Sequence, residues 1–352
     1  MGCLRNYWDV IATATVFSTK KYITKETKLM SVILNDKKLM SLVEANKRKG
    51  YDRNEGFMLN LEKEHKLLDV LPFLPASDNS YHKYNQGTVQ GKGAWRQLNE
   101  GRERTQGTME WITTPVQLFS VESNISDDIL LAADSPADAR DSENLLVATG
   151  LVNDFMDSLI YSDGTDTEKM KGLVYYRKTL GDYCLDAGGT SSGSLTSLYV
   201  AQMGELGVNI RYNPKITGDS YGIGLKIKDE GSVWTQDNKG RDMKVWKTTY
   251  DLTAALEVRQ DKALVRLANI DPTKTLSLPL LVKAIMKLKD RRNAVIIAPK
   301  EIEEMLINLA LDKGQYQIRY EDIENFGPIM KVMGVPVVIE EAIKVNESQL
   351  SA

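Results

Sequence analysis

The chain has 352 residues, enough for one large or two modest domains, and its 42% hydrophobic and 26% charged residues are an ordinary globular balance. A formal net charge of −3 lacks the basic excess of a dedicated nucleic-acid-binding domain. Two cysteines, Cys3 and Cys184, exclude a disulfide framework, and two histidines, His65 and His82, are too few for a His-rich metal centre and poor material for a conventional triad.

Residues 1–56 read as a basic arm. Between Met1 and Gly50 ten basic residues stand against four acids, a net charge of +6. This composition predicts a solvated terminus with one short helix near Lys38–Lys47. The apolar run Val10–Phe17 is too short to span a membrane, which takes about 20 apolar residues. It also lacks the small-residue cleavage site of a signal peptide. Asn6 stands where a myristoylation signal needs Ser or Thr.

Residues 57–78 lead into the body. A helix-like stretch from Phe57 runs to LLDVLPFLP, where Pro72 and Pro75 break any helix. Asn79 to Trp111 is rich in Gly, polar and charged residues and cannot bury a core by itself. Strand-like pieces at Tyr81–Tyr84, Trp95–Leu98 and Met109–Thr113 flank its glycines, which predicts a long hairpin projecting from the body. Thr114–Asn124 alternates as a strand through Val116, Leu118, Phe119 and Val121.

The strongest helix signal follows. Ser135 suits the N-cap, Pro136 the first helical position, and Asp138 the positive end of the helix. Leu145, Ala148, Val152, Phe155 and Leu159 recur at helical spacing, with Leu146, Leu151, Met156 and Ile160 widening the stripe. Asp163-Gly164 closes it. A helix over Pro136–Tyr161 would be roughly 40 Å long, a strut more than a packing element.

Beyond it the chain turns strand-rich. Strands are expected at Ser194–Gln202, Gly222–Lys228, Met243–Thr249 and Ala254–Asn269, the last with a turn at Gln260–Lys262. The final part mixes types: an amphipathic helix over Leu278–Lys289, a buried strand AVIIA at Ala294–Ala298, a helix opened by Pro299 and closed near Gly314, and a last strand at Val335–Ile339. No internal repeats are visible.

No motif carries chemistry. Gly188-Gly189-Thr190-Ser191-Ser192-Gly193 has phosphate-loop spacing, but Ser194 replaces the lysine that would neutralise phosphates. The Gly87–Gly93 run does not lead from a core strand into a helix, as a dinucleotide fingerprint must. Asp163–Glu168 lacks the alternating ligand spacing of a calcium loop and reads as a polar helix-end turn. The acidic pairs Asp127-Asp128, Glu303-Glu304 and Glu340-Glu341 diverge in direction and read as solvated faces. Trp95, Trp111, Trp234 and Trp246 could stack nucleic-acid bases, but in strand-like segments packing in a core or an interface is commoner. No catalytic, cofactor-binding or metal-binding residue is therefore assigned, and no cofactor is expected.

The order of features is basic arm, coreless hairpin, strand, long helix and mixed body. It resembles the Hong Kong phage capsid fold shared by tailed-phage major capsid proteins and encapsulins. LLDVLPFLPASDNSYHKY followed by AWRQLNEGRERTQGTMEWITTPVQLF looks like the way into the extended loop of one group of phage capsid proteins. TSLYVAQMGELGVNIRYNP, the Gly222–Leu225 strand and TTYDLTAALEVRQDKALVRLANID look like shell-domain strands of that group. AVIIAPKEIEEMLINLALDKGQY and MGVPVVIEEAI resemble the strand–Pro–helix and G-x-P-V-V pair found across the fold. That pair follows the other shell strands here, where it ordinarily precedes them. This implies a permuted connectivity, as in some short-tailed phages.

The resemblance implies an α+β fold: the arm (1–56), the lead-in (57–78), an extended loop (79–112), a peripheral domain (113–165 and 241–270) with a spine helix at 136–161, an axial α/β domain (166–240 and 271–345) and a tail (346–352). It implies a major capsid protein, not an enzyme, forming hexamers and pentamers of an icosahedral shell around phage DNA. The implied partners are copies of itself, portal and scaffolding proteins, and packaged double-stranded DNA held by non-specific contact, with no membrane. The implied location is the virion, after assembly in the host bacterial cytoplasm. An encapsulin-type compartment shell and, less favoured, a soluble α/β enzyme are the alternatives.

Overall fold

The computed structural model describes residues 65–133, 135–216, 224–236, 240–274, 276–313, 318–323 and 327–351. The basic arm, the first part of the lead-in and Gly314 lie outside them.

A short helix α1 (Leu67–Val70) and strand β1 (Phe73–Pro75) open the described chain. Strands β2 (Tyr81–Val89) and β3 (Thr108–Pro115) form the projecting hairpin, followed by β4 (Gln117–Ser126) and helix α2 (Asp127–Ala132). Helix α3 spans Pro136–Tyr161, as the capping signals predict: Ser135 Oγ accepts a hydrogen bond from Asp138 N at 3.4 Å, and Pro136 occupies the first turn. Its buried residues run from Ala148 to Ile160, so only the C-terminal half is packed on all its apolar side. Leu146, part of the expected stripe, is instead 67% exposed.

After α4 (Leu173–Tyr176) come β5 (Cys184–Asp186), β6 (Thr196–Gln202), β7 (Val208–Tyr212), β8 (Leu225–Gln236), β9 (Asp242–Val258) and β10 (Leu264–Ile270). The remainder is α5 (Leu278–Lys287), β11 (Ala294–Ala298), α6 (Lys300–Lys313), β12 (Ile318–Ile323), β13 (Gly327–Val332) and β14 (Val335–Ile339). Gly172 shows how closely the chain returns onto α3: a Cβ there would lie 2.7 Å from Ser158 O and 2.9 Å from Leu159 O.

Two large sheets result. The first is organised by the 17-residue β9. Its N-terminal half pairs antiparallel with β8 on one side and β4 on the other, and its C-terminal end pairs with β7, which holds β1 in parallel. Phe119 of β4 meets Phe155 of α3 at 6.4 Å between ring centres, so α3 covers the inner face of this sheet. The second sheet has the order β12-β13-β14-β11-β6-β10-β5. Its central strands are buried on both faces, which explains their near-continuous apolar sequences. Leu198, Val200, Ile296 and Val265 pack with α5 and α6, through Leu281, Ile285, Ile302 and Leu306. Tyr199, Ala201, Val295 and Ile297 face the core that contains Phe155, Met156, Leu159 and Ile160 of α3. Helix α3 therefore joins the two sheets through one core.

The AVIIA and VPVVI segments pair in parallel, and AVIIA also lies antiparallel to β6, so segments distant in the chain are neighbours in one sheet. Sheet membership departs from the expected domain ranges at three strands. β8, placed in the axial range, pairs with β9 in the first sheet. So does β7, which likewise lies in that range. β10, placed in the peripheral range, lies between β6 and β5 in the second. For β10 the reason is the turn at Asp261–Ala263, which sends the chain from one sheet into the other and does not fold β10 back onto β9. Trp95–Leu98 is not a strand; the β2–β3 ladder ends at Val89–Thr108 and leaves that stretch without a partner. The strand expected from Gly222 begins at Leu225, Gly222 and Ile223 lying outside the described residues.

Candidate assembly surfaces

The hairpin has a rigid root and a coreless outer part. In the ladder from Tyr81–Pro115 to Val89–Thr108, Tyr84 is the one buried residue. Residues 90–107 continue as a fully exposed loop with a turn about Asn99, closed by Arg96 Nη1 donating to Glu100 O at 2.7 Å and Gln97 N donating to Glu100 Oε2 at 2.9 Å. Trp95 and Leu98 are wholly exposed, and Met109 and Trp111 mostly so. A chain segment that shows its largest apolar side chains to water has the character of a binding surface.

At the root the opposite holds. Arg211 Nε of β7 donates to Glu257 Oε2 of β9 at 2.7 Å, and both side chains are buried. Arg211 Nη1 also donates to Pro75 O of β1 at 3.3 Å. His82 Nε2 of β2 stands 3.6 Å from Glu257 Oε1, its ring stacks on Tyr84, and Arg259 covers Tyr84 at 4.9 Å. Burial, then the neighbouring Arg211 cation, pushes the His82 pKa down despite Glu257. Ser77 N donates to His82 Nδ1 at 3.1 Å, and Ser77 Oγ accepts from Lys83 N at 2.8 Å. The hairpin thus leaves the body from a buried polar junction linking β1, β2, β7 and β9.

A second junction holds the C-terminal segment. Glu347 accepts from Arg266 Nη2 at 3.0 Å, from Ser197 Oγ at 2.5 Å and from Tyr161 OH at 3.1 Å, tying β10, β6 and the end of α3 together. Burial raises the Tyr161 and Tyr199 phenol pKa values, so both stay protonated; Tyr161 OH donates to Glu347, whereas the buried Tyr199 OH has no hydrogen-bond partner among the described residues. The Gly188–Gly193 loop serves the same purpose: Gly193 N donates to Glu347 O at 3.0 Å, and Ser192 Oγ accepts from Gln349 N at 3.2 Å.

The acidic pairs do not behave alike. Glu340, expected on a solvated face, is fully buried, with Oε1 2.7 Å from His65 Nδ1. The adjacent β14 ends at Ile339, which turns Glu340 inward to meet the start of the described chain. Of the four tryptophans weighed as base-stacking candidates, Trp95, Trp111 and Trp234 are exposed, and Trp246 lies under the Arg140 guanidinium at 4.3 Å. Sequence reasoning missed the Arg211–Glu257 and Arg266–Glu347 pairs. Alternation places an arginine inside a strand but cannot name a partner 46 or 81 residues away. Among the described residues no cluster of three or more His, Cys, Asp or Glu could hold a metal ion, and no helix is long and apolar enough to cross a membrane.

A family model described as major capsid protein GP7 matches residues 58–351. The chain belongs to that family. No curated protein matches it. Among solved structures, a chain of bacteriophage epsilon15 is similar at 20% identity, with a TM-score of 0.62, over 79% of this chain and 87% of that one. The bacteriophage JBD30 capsid follows at 12% identity and a TM-score of 0.46, over 78% and 88%. The holo-SrpI encapsulin complex of Synechococcus elongatus PCC 7942 matches at 13% and 0.43, over 60% and 89%. The epsilon15 likeness gives the fold, and the family match favours a phage major capsid protein over a compartment shell. This capsid protein is a structural component of the virion that assembles with its own copies.

Proposed function

We propose that this capsid protein builds hexamers and pentamers of an icosahedral shell enclosing double-stranded phage DNA, and that the β2–β3 hairpin lies across the neighbouring subunit. One observation carries the reading: a hairpin anchored by a buried Arg211–Glu257 junction exposes Trp95, Leu98 and Met109, and also Trp111, over whose ring only Lys83 lies at 4.9 Å. Within it Lys92, Arg96, Arg102 and Arg104 mix with Glu100 and Glu103. Exposed pairs contribute only about 0–1 kcal/mol each, so these charges set register, while the apolar side chains supply affinity. Weak individual contacts suffice because closure makes later contacts intramolecular.

In this reading residues 79–112 are the extended loop, the β9-centred sheet with α3 is the peripheral domain, and the seven-stranded sheet with α5 and α6 is the axial domain. Portal and scaffolding proteins are further partners, DNA is held by non-specific contact, and assembly takes place in the host bacterial cytoplasm. The test is deletion of Gln86–Gln106. The expected product is a folded subunit, by circular dichroism, that forms no stable shells; normal particles by electron microscopy would overturn the hairpin assignment.

A further inference from the structure

The solvent face of α3 carries an apolar and acidic set of residues that the described subunit leaves largely uncovered. Glu143, Leu146, Gly150, Asn153, Asp154 and Asp157 follow one another at helical spacing and lie on one side. Leu146 is 67% exposed in the middle of this face. One turn on, Gly150 has open space where a Cβ would stand, with nothing within 4 Å. A glycine inside a helix costs about 1 kcal/mol relative to alanine, and nothing in the described chain requires one here. Its use is to let another backbone pass close by.

The face is also acidic. Glu143, Asp154 and Asp157 lie on it, and the whole helix from Pro136 to Tyr161 has the single cation Arg140. Arg140 turns away, to Asp229 at 2.6 Å and over Trp246. Lys344 takes Asp157. Among the described residues no cation pairs with Asp138, Asp141, Glu143 or Asp154. Packaged DNA, a polyanion, is repelled by such a face.

The chain itself points to the occupant. His65, the first described residue, has Nε2 2.7 Å from Asn153 Oδ1, so the described chain begins beside this face. Those residues hold KKLMSLVEANKRK, Lys37–Lys49, with five cations, one acid and the apolar side chains Leu39, Met40, Leu42 and Val43. Lys49 stands 16 residues before His65, a span of up to about 50 Å when extended. Asn153 to Leu146 is only about 10 Å along the helix.

We infer that Lys37–Lys49 docks on the solvent face of α3 in its own subunit, its apolar residues over Leu146 and Gly150 and its cations against Glu143 and Asp154. The basic arm is then an intramolecular strap that neutralises the strut helix. This does not depend on shell formation, and the test reads the arm rather than particles, so the two proposals fail separately.

Hydrogen exchange of the full-length protein tests it, with peptides covering 37–49 as the readout. Protection is expected there in the native chain. In Glu143→Lys/Asp154→Lys exchange should become about tenfold faster, because two attractions become repulsions, and it should be restored when Lys47, Arg48 and Lys49 are changed to Glu in the same chain. Gly150→Leu separates docking from folding. It should raise the melting temperature of the subunit, since the helix gains propensity and nothing clashes, while loosening the arm. An arm that exchanges freely in the native chain, or equally slowly in all variants, overturns the inference and leaves the face to a second copy or another protein. A disulfide between Leu42→Cys and Leu146→Cys, made with Cys3→Ser, should form within one chain; exclusively intermolecular linkage overturns the assignment to the same subunit.

Discussion

Replacing Trp95 and Leu98 by alanine should abolish assembly at ordinary concentrations without weakening the subunit. Both side chains are fully exposed, so the folded monomer loses no packing and its melting temperature should stay within experimental scatter. The loss falls on the contact. An aromatic side chain buries about 150–250 Å², worth roughly 4–6 kcal/mol gross at about 25 cal/mol per Å². Ordering the loop and displacing water take back part of this, and truncating a central contact residue typically costs 2–4 kcal/mol. At about 1.4 kcal/mol per factor of ten, the subunit concentration needed for assembly should rise roughly 30- to 700-fold. Light scattering across a dilution series, with electron microscopy of the products, measures that threshold. An unchanged threshold, with particles of normal appearance, would show that the hairpin tip is not buried between subunits, and the argument from its exposed side chains would fall.

Two further predictions concern the junctions. Glu347→Leu strands the buried Arg266 guanidinium, with Ser197 Oγ at 3.0 Å and Arg177 O at 3.1 Å still accepting from it, and should destabilise the subunit by about 3–5 kcal/mol. Adding Arg266→Met should recover most of the loss in urea unfolding; no recovery would mean that the pair matters for its geometry and not for its charge. The His82 pKa is lowered in the folded chain, so the unfolded chain binds a proton more readily and the neutral ring favours folding. That contribution is full above the unfolded value near pH 6.5 and is lost as pH falls through it towards the folded value, where a charged ring faces Arg211 and Arg259 with Glu257 and Glu205 in partial compensation. Between pH 8 and pH 5 the native protein should lose more stability than His82→Gln; parallel curves would remove His82 from the account.

Local signals in the sequence were sufficient wherever the chain is governed by its own neighbours. Ser135-Pro136 and Asp163-Gly164 bracket α3 because capping and turn chemistry act within a few residues. AVIIA and VPVVI were legible as buried strands because both faces are covered, leaving no polar alternation. The short β1, β5 and β7 were not, since each takes its strand form from a partner far along the chain. The same cause misled the reading of Trp95–Leu98: its residue types favour a strand, but β propensity is expressed only against a paired neighbour. The coreless hairpin itself was legible from composition, while its tryptophans were left open between a core and an interface and prove exposed. The buried charges at Glu257, Glu340 and Glu347 were not, because each is defined by a partner that only the tertiary fold brings close.

The buried charges and the exposed apolar residues are complementary parts of one design. A hairpin held only by its own two strands would be marginal in water. Here its first strand is joined at His82 and Tyr84 to a junction whose central pair, Arg211–Glu257, spans β7 and β9. Strand β9 also pairs with β4, whose Phe119 packs on α3, and α3 reaches through Tyr161 to Glu347 and the second sheet. The root of the hairpin is therefore connected through buried contacts to both sheets. Hydrophobic packing is non-directional, whereas the Arg211 Nε–Glu257 Oε2 hydrogen bond adds a directional constraint, although Arg211 Nη2 and Glu257 Oε1 have no hydrogen-bond partner among the described residues. A shell subunit needs its contact surfaces at fixed angles to one another, because small angular errors accumulate around a closed surface. In the proposed shell, the ion pairs at the hairpin root and at the end of α3 set the direction of the β2–β3 ladder relative to the two sheets.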